Sequence, residues 1–149
     1  MMKKYKIGYT TGVFDMFHIG HLNILKKAKE YCDYLIVGVT VDELVKEYKQ
    51  KTPIVPYEER KAIVEAIKFV DEVVPQVSMD KLDAWERLHF DALFHGSDWK
   101  NSELYNKIIE QFKTLNVDVI FISHTPGISS TQLAEKILQQ NNSMEPIRH

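Results

Sequence analysis

His18 and His21 flank Ile19-Gly20 directly after the stretch Thr10-Thr11-Gly12-Val13-Phe14-Asp15. The apolar run Tyr5 to Tyr9 precedes them and a helix-like segment follows, so both imidazoles stand where a strand hands over to a helix. At such a junction free backbone N–H groups and the positive end of the helix dipole face an arriving anion. Both side chains can project into one pocket and donate N–H groups to phosphate oxygens. Metal ligation is a competing reading, since histidine is the commonest transition-metal ligand. Zinc sites, however, want a third protein ligand, and no obvious partner lies nearby in the sequence. Filling of a helix N-terminus is the plainer alternative for the pair taken alone.

Three further segments fall on the same expected rim. The basic run Lys46-Glu47-Tyr48-Lys49-Gln50-Lys51-Thr52-Pro53 follows the second strand and a short helix. Its lysines, in a mobile loop, can close over a polyphosphate; a solvated charged loop is the alternative. Pro56-Tyr57-Glu58-Glu59-Arg60 then opens a helix, where a cation is poorly placed for the helix dipole. That local penalty favours a binding role for Arg60. In Ser123-His124-Thr125-Pro126-Gly127-Ile128-Ser129-Ser130-Thr131, Gly127 permits a tight turn. The run of hydroxyls exceeds the single one that an N-cap uses, which makes a second phosphate cradle. Gly96-Ser97-Asp98-Trp99 adds a glycine, a carboxylate and an indole; Trp99 either flanks a base or covers the core.

The elements that must position these residues are apolar, β-branched runs at Tyr5–Thr10, Tyr34–Thr40, Glu72–Pro75, Ala92–His95 and Val117–Ser123. They are nearly continuous rather than alternating, as in strands buried on both faces. Amphipathic stretches lie between them: Leu22 to Tyr31, Tyr57–Lys68, Met79–Leu88, Ser102–Leu115, and a last helix from near Thr131 capped by Ser130. Strand alternating with helix predicts an α/β fold, a Rossmann-like three-layer α/β/α domain with a five-stranded parallel sheet and right-handed crossovers. Ligands gather at the carboxyl ends of such strands, beside the switch point. The 149 residues fit one domain, expected over 1–140, with a loose polar tail at 141–149.

Composition narrows the classes. Nineteen Lys and Arg against 21 Asp and Glu give a formal charge of −2, so overall charge attracts neither nucleic acid nor anionic lipid. No apolar run approaches the roughly 20 residues of a membrane span. The Tyr5 to Tyr9 run is too short for a secretory signal. Cys32 is the single cysteine; it excludes an intrachain disulfide, fits a cytoplasmic home, and is expected to be a packing residue.

Gly12-Val13-Phe14-Asp15-Met16-Phe17-His18-Ile19-Gly20-His21, Pro56-Tyr57-Glu58-Glu59-Arg60, Val70-Asp71-Glu72-Val73 and Gly127-Ile128-Ser129-Ser130-Thr131 together resemble the cytidylyltransferases of the nucleotidyltransferase α/β superfamily. Within that family, the bacterial glycerol-3-phosphate branch is the nearest likeness. The resemblance implies transfer of CMP from CTP to a phosphomonoester, with release of pyrophosphate. Other acceptors (phosphocholine, phosphoethanolamine, a sugar phosphate), adenylyl transfer and a catalytically weakened nucleotide-binding module are the alternatives. It places His18 and His21 at the reacting triphosphate, with Lys49 and Lys51 on the phosphates of substrate and nucleotide. Arg60 stands near the acceptor or the phosphates, and Thr125, Ser129 and Ser130 grip the outer phosphates. Asp98 and Trp99 fall in the nucleoside pocket. Thr11, Gly12, Val13, Phe14, Asp15, Gly20, Lys68, Asp71, Gly96, Gly127, Ile128 and Thr131 complete the expected nucleotide site. His124 stands where the family usually has arginine, and Lys68 where close relatives have arginine. Mg²⁺ is expected with CTP rather than on protein ligands, and a homodimer is implied.

Overall fold

The computed structural model describes residues 4–97, 102–123 and 130–143. The chain runs β1 (Tyr5–Gly12), α1 (Ile19–Tyr31), β2 (Cys32–Thr40), α2 (Asp42–Lys49), α3 (Tyr57–Glu65) and β3 (Glu72–Gln76). It continues through α4 (Lys81–Leu88), β4 (Ala92–Gly96), α5 (Glu103–Lys113), β5 (Asp118–Ile122) and α6 (Ser130–Ser143). The strands form one five-stranded sheet, all parallel, in the order β3-β2-β1-β4-β5. The expected three-layer Rossmann-like fold is therefore the fold observed. Successive connections run outward from β1 to β3, then return across it to β4 and β5, so the switch point lies between β1 and β4.

Burial follows sheet position. Six consecutive residues of β2, Leu35 to Thr40, are buried, because this strand is covered on both faces. The edge strands β3 and β5 are only partly covered, and β3 tolerates Pro75 because an edge position leaves one side of the backbone unpaired. One apolar cluster joins Phe14, Leu25, Ala28, Val37, Val64 and Phe94 beneath α1 and α3. The other joins Tyr9, Phe90, Leu93, Tyr105, Ile108 and Phe112 beneath α4 and α5. Each large apolar side chain so buried contributes roughly 1.5–3 kcal/mol. Cys32 is fully buried, its thiol donating to the Ala28 carbonyl oxygen at 3.4 Å, the setting of a packing residue.

Register brings the carboxyl ends of three strands to one rim. Gly12 pairs with Val39 and Thr40 with Gln76. The Thr40 hydroxyl lies 3.1 Å from the Gly12 carbonyl oxygen and 2.6 Å from Gln76 Oε1. Three boundaries differ from the sequence reading. Lys46 and Lys49 belong to α2 rather than to a loop, α3 ends at Glu65, and α6 continues to Ser143, past the expected boundary at 140; residues 144–149 lie outside the described set.

Candidate active site

Between β1 and α1 the chain makes a tight reversal in which Phe14 (φ 55°) and Met16 (φ 48°) adopt left-handed backbone conformations. Non-glycine residues there carry a cost of about 1–3 kcal/mol each and persist only where the surroundings hold them. Two anchors do so. The Phe14 ring is buried in the core, where it would meet any Cβ at Gly12 at 3.0 Å. The Asp15 carboxylate accepts the backbone N–H groups of Ile54 and Val55 at 2.8 and 2.9 Å, which ties this reversal to the lysine-bearing connection that follows α2.

His18 is the N-cap of α1. Its Nδ1 accepts the Gly20 N–H at 3.0 Å, and its own backbone N–H donates to His21 Nδ1 at 3.2 Å. The rings stack with centroids 3.9 Å apart and planes 22° from parallel, while the edges of Phe14 and Phe17 confine His21. Because each Nδ1 is an acceptor, each neutral ring carries its proton on Nε2. Burial pushes His21 down to about 4, helped by His18 and opposed by Asp15; burial also lowers His18. Both rings are thus neutral Nε2–H donors near pH 7. His18 Nε2 is buried and has no hydrogen-bond partner among the described residues, an atom awaiting an acceptor. A metal ligand would need a lone pair where each ring holds a proton. Among the described residues no group of three His, Cys, Asp or Glu is placed to hold a metal ion.

The rim opens into a cavity of about 510 Å³ lined by Thr11, Gly12, Val13, Phe14, Asp15, His21, Lys49, Lys51 and Gly96, with Ala134, Glu135 and Leu138 of α6 opposite. Its volume suits a nucleotide-sized ligand. His18 stands one ring behind His21, and Gly20 supplies the amide of the cap. A smaller cavity of about 140 Å³ adjoins it and shares Thr11, Gly12, Val13, Lys49 and His95.

Three expected ligand residues lie elsewhere. Arg60 is completely buried and its guanidinium is spent on protein: Nε donates to the Val55 carbonyl oxygen, Nη1 to those of Val13 and Thr40, and Nη2 pairs with Asp42. It fastens the segments that wall the cavity and is not itself in the wall. Asp71 lies before β3, at the amino end of the sheet opposite the rim, accepting the Leu35 N–H at 2.8 Å and pairing with Lys29 at 2.6 Å. Lys68, in the same connection, sits over the Phe69 ring at 5.3 Å. Asp98, Trp99, His124, Thr125, Gly127, Ile128 and Ser129 lie outside the described residues. Ser130 and Thr131 open α6.

Two residues of the smaller cavity escaped the sequence reading. Lys81, the first residue of α4, is buried, and its Nζ donates to Thr11 Oγ1 at 2.7 Å. Burial lowers it to about 8. A cation in the first turn of a helix was the signal applied to Arg60, and it applied equally here. His95 packs on Tyr105 with ring centroids 5.0 Å apart, and its Nδ1 accepts the Gly96 N–H at 3.0 Å.

A parallel α/β sheet with a stacked imidazole pair at the first helix N-terminus, His21 of which lines a nucleotide-sized cavity, is the arrangement expected of a nucleotidyltransferase. Residues 9–136 match the Cytidylyltransferase-like family, and the chain belongs to that family. It is 38% identical over 125 residues to the glycerol-3-phosphate cytidylyltransferase of Bacillus spizizenii, covering 83% of this chain and 91% of that one. It is 34% identical to an ethanolamine-phosphate cytidylyltransferase of Dictyostelium discoideum, covering 94% of this chain and 40% of that one. Among solved structures, a lipopolysaccharide core biosynthesis protein of Thermoplasma volcanium superposes with a TM-score of 0.72 at 28% identity, over 81% of this chain and 98% of that one. The protein is accordingly a cytidylyltransferase.

Proposed function

We propose that the protein transfers CMP from CTP to glycerol 3-phosphate, yielding CDP-glycerol and pyrophosphate. The observation that carries this reading is the pair of adjoining cavities with a common strip at Thr11, Gly12, Val13, Lys49 and His95. One is of nucleotide size and has His21 in its wall, with His18 stacked behind it; the other bears Lys81. Two anionic reactants can meet across that strip. An acceptor phosphate oxygen attacks the α-phosphorus in line, a P–O bond forms, and the bond to the β-phosphate breaks with pyrophosphate as leaving group. Such a reaction depends on positioning and on neutralising charge as it builds. The two Nε2–H donors supply neutral hydrogen bonds to the reacting phosphate, and Lys49 and Lys51 supply charge. Mg²⁺ enters with CTP, held by phosphate oxygens and water.

The glycerol 3-phosphate assignment rests also on the Bacillus relative. Pyrophosphate release is to be measured with each of CTP, ATP, GTP and UTP against glycerol 3-phosphate, phosphocholine, phosphoethanolamine and sugar phosphates. Release with CTP and glycerol 3-phosphate is expected. Release with ATP alone, or only with another acceptor, overturns the assignment. By family likeness the enzyme works as a cytoplasmic homodimer, and Ile19, exposed at the start of α1, belongs to the contact. Light scattering that gives the mass of one chain overturns the dimer.

A further inference from the structure

Part of the larger cavity is walled by aliphatic side chains for which a triphosphate has no use. Met16 of the β1–α1 reversal, Ile24 of α1 and Pro53 and Ile54 of the connection after α2 line it from the body of the domain, and Ala134 and Leu138 line it from α6. Ile54 is 65% exposed and Leu138 is 62% exposed, so two large aliphatic residues stand in one cavity with most of their surface uncovered. The same mismatch runs along α6. Leu133, Ala134, Ile137 and Leu138 recur at i, i+1, i+4 and i+5, a spacing that gathers them on one side of a helix, yet every residue from Glu135 to Gln140 is exposed. A helix with one apolar side normally buries it. Here that side has the apolar rim of the cavity across from it.

We infer that Leu138 and Ile54 form a latch: when a nucleotide fills the cavity, α6 seats on the rim and these two side chains meet over it. They are positioning residues, which touch each other rather than the reacting atoms. The inference rests on the reading of the larger cavity as the nucleotide site and adds to it how the nucleotide is retained. Closure over water alone would trap or expel the water that solvates Thr11, Lys49 and Lys51 in the cavity wall, at a cost in lost hydrogen bonds. A bound triphosphate takes those hydrogen bonds over, and the apolar contact then comes as a net gain. Covering two exposed aliphatic side chains is worth on the order of tenfold in affinity. A seated helix also excludes water from the phosphates, which strengthens every donor and charge that faces them.

A double-mutant cycle on CTP binding tests the contact. Calorimetry with CTP and Mg²⁺ is to be run on the wild type, Leu138→Ala, Ile54→Ala and the double variant. Each single change is expected to weaken CTP on the order of tenfold, and the double variant to bind no worse than the weaker single one, because a contact already broken cannot be broken twice. Both side chains are exposed, so thermal melts without nucleotide should coincide in all four proteins. Gln139→Ala, on the polar side of the same helix, should bind CTP as the wild type does. Losses that multiply in the double variant, as two independent nucleotide contacts would give, overturn the latch and leave cytidylyl transfer standing. So does unchanged affinity in either single variant, an equal loss in Gln139→Ala, or a nucleotide-free melt that falls in step with affinity. If the wild type itself binds no CTP, the reading of the cavity as the nucleotide site fails first, and the latch falls with it.

Discussion

The backbone N–H of His18 donates to Nδ1 of His21 at 3.2 Å while the two rings stack 3.9 Å apart. With His18 Nδ1 bonded to the Gly20 N–H, a single capping arrangement sets the tautomer of both imidazoles. The cap that starts α1 is therefore the device that aims two N–H donors, and loss of either ring disturbs the other.

His18→Ala removes an oriented donor from the proposed reacting phosphate. Turnover should fall by roughly 10²–10³, whereas loss of the cap should cost the fold only about 1 kcal/mol. Steady-state kinetics beside a thermal melt separates the two effects. Near-wild-type turnover would take His18 out of the chemistry.

Acid should unfasten this end of α1. His21 sits at about 4 in the fold against about 6.5 when unfolded, so between those values the unfolded chain binds the extra proton and the fold does not. Stability is complete above about pH 6.5 and declines as pH falls towards 4, by up to about 3 kcal/mol. Denaturant melts across that range check the slope, and His21→Asn should flatten it. A flat wild-type profile would show that His21 is not held neutral by burial.

Lys81→Met should make the protein more stable and less active. The native value of about 8 lies below the unfolded value of about 10.4, so at neutral pH the buried charge costs the fold at most about 3 kcal/mol. That cost fades as pH rises from about 8 to about 10.4, and the advantage of the variant should shrink over the same window. Denaturation at pH 7 and pH 10 tests it; a destabilised variant with the same pH profile as wild type would contradict the assignment of Lys81 as an uncompensated charge.

Arg60→Ala should be severe. It strands the Asp42 carboxylate and the carbonyl groups of Val13, Thr40 and Val55, and breaking a buried pair costs about 3–5 kcal/mol. Arg60→Lys keeps the charge but not the fork. The lysine variant should fold, with KM for CTP raised more than kcat is lowered, since it is the wall of the nucleotide cavity that loosens. An effect on the KM of the acceptor alone would restore Arg60 to direct acceptor contact.

Much of this was legible in the chain. The nearly continuous apolar run Tyr34–Thr40 announced a parallel strand buried on both faces, and the spacing of His18, Gly20 and His21 announced a helix N-terminus. Lys81 was not picked out because a lone lysine in an amphipathic helix resembles a solvated one, and only the fold presses its Nζ against Thr11. Arg60 showed the converse. Its helix-start position was read correctly as unusual, but the reason is a set of carbonyl groups from distant loops. Lys68 and Asp71 come between α3 and β3, and a parallel crossover necessarily brings that connection to the amino end of the sheet, away from the rim.

The sequence by itself determined the class of fold, the order of its elements and the location of the helix start that His18 caps. Those depend on local periodicity, on capping and on which faces must be buried. Tertiary structure alone decided which cations remain for a ligand. Arg60 and Lys81 are both cations at helix starts, and they differ in whether the fold surrounds them with carboxylate and carbonyl oxygens or with one hydroxyl. Charge compensation inside a protein is set by contacts between segments far apart in the chain, and these have no signature in local spacing.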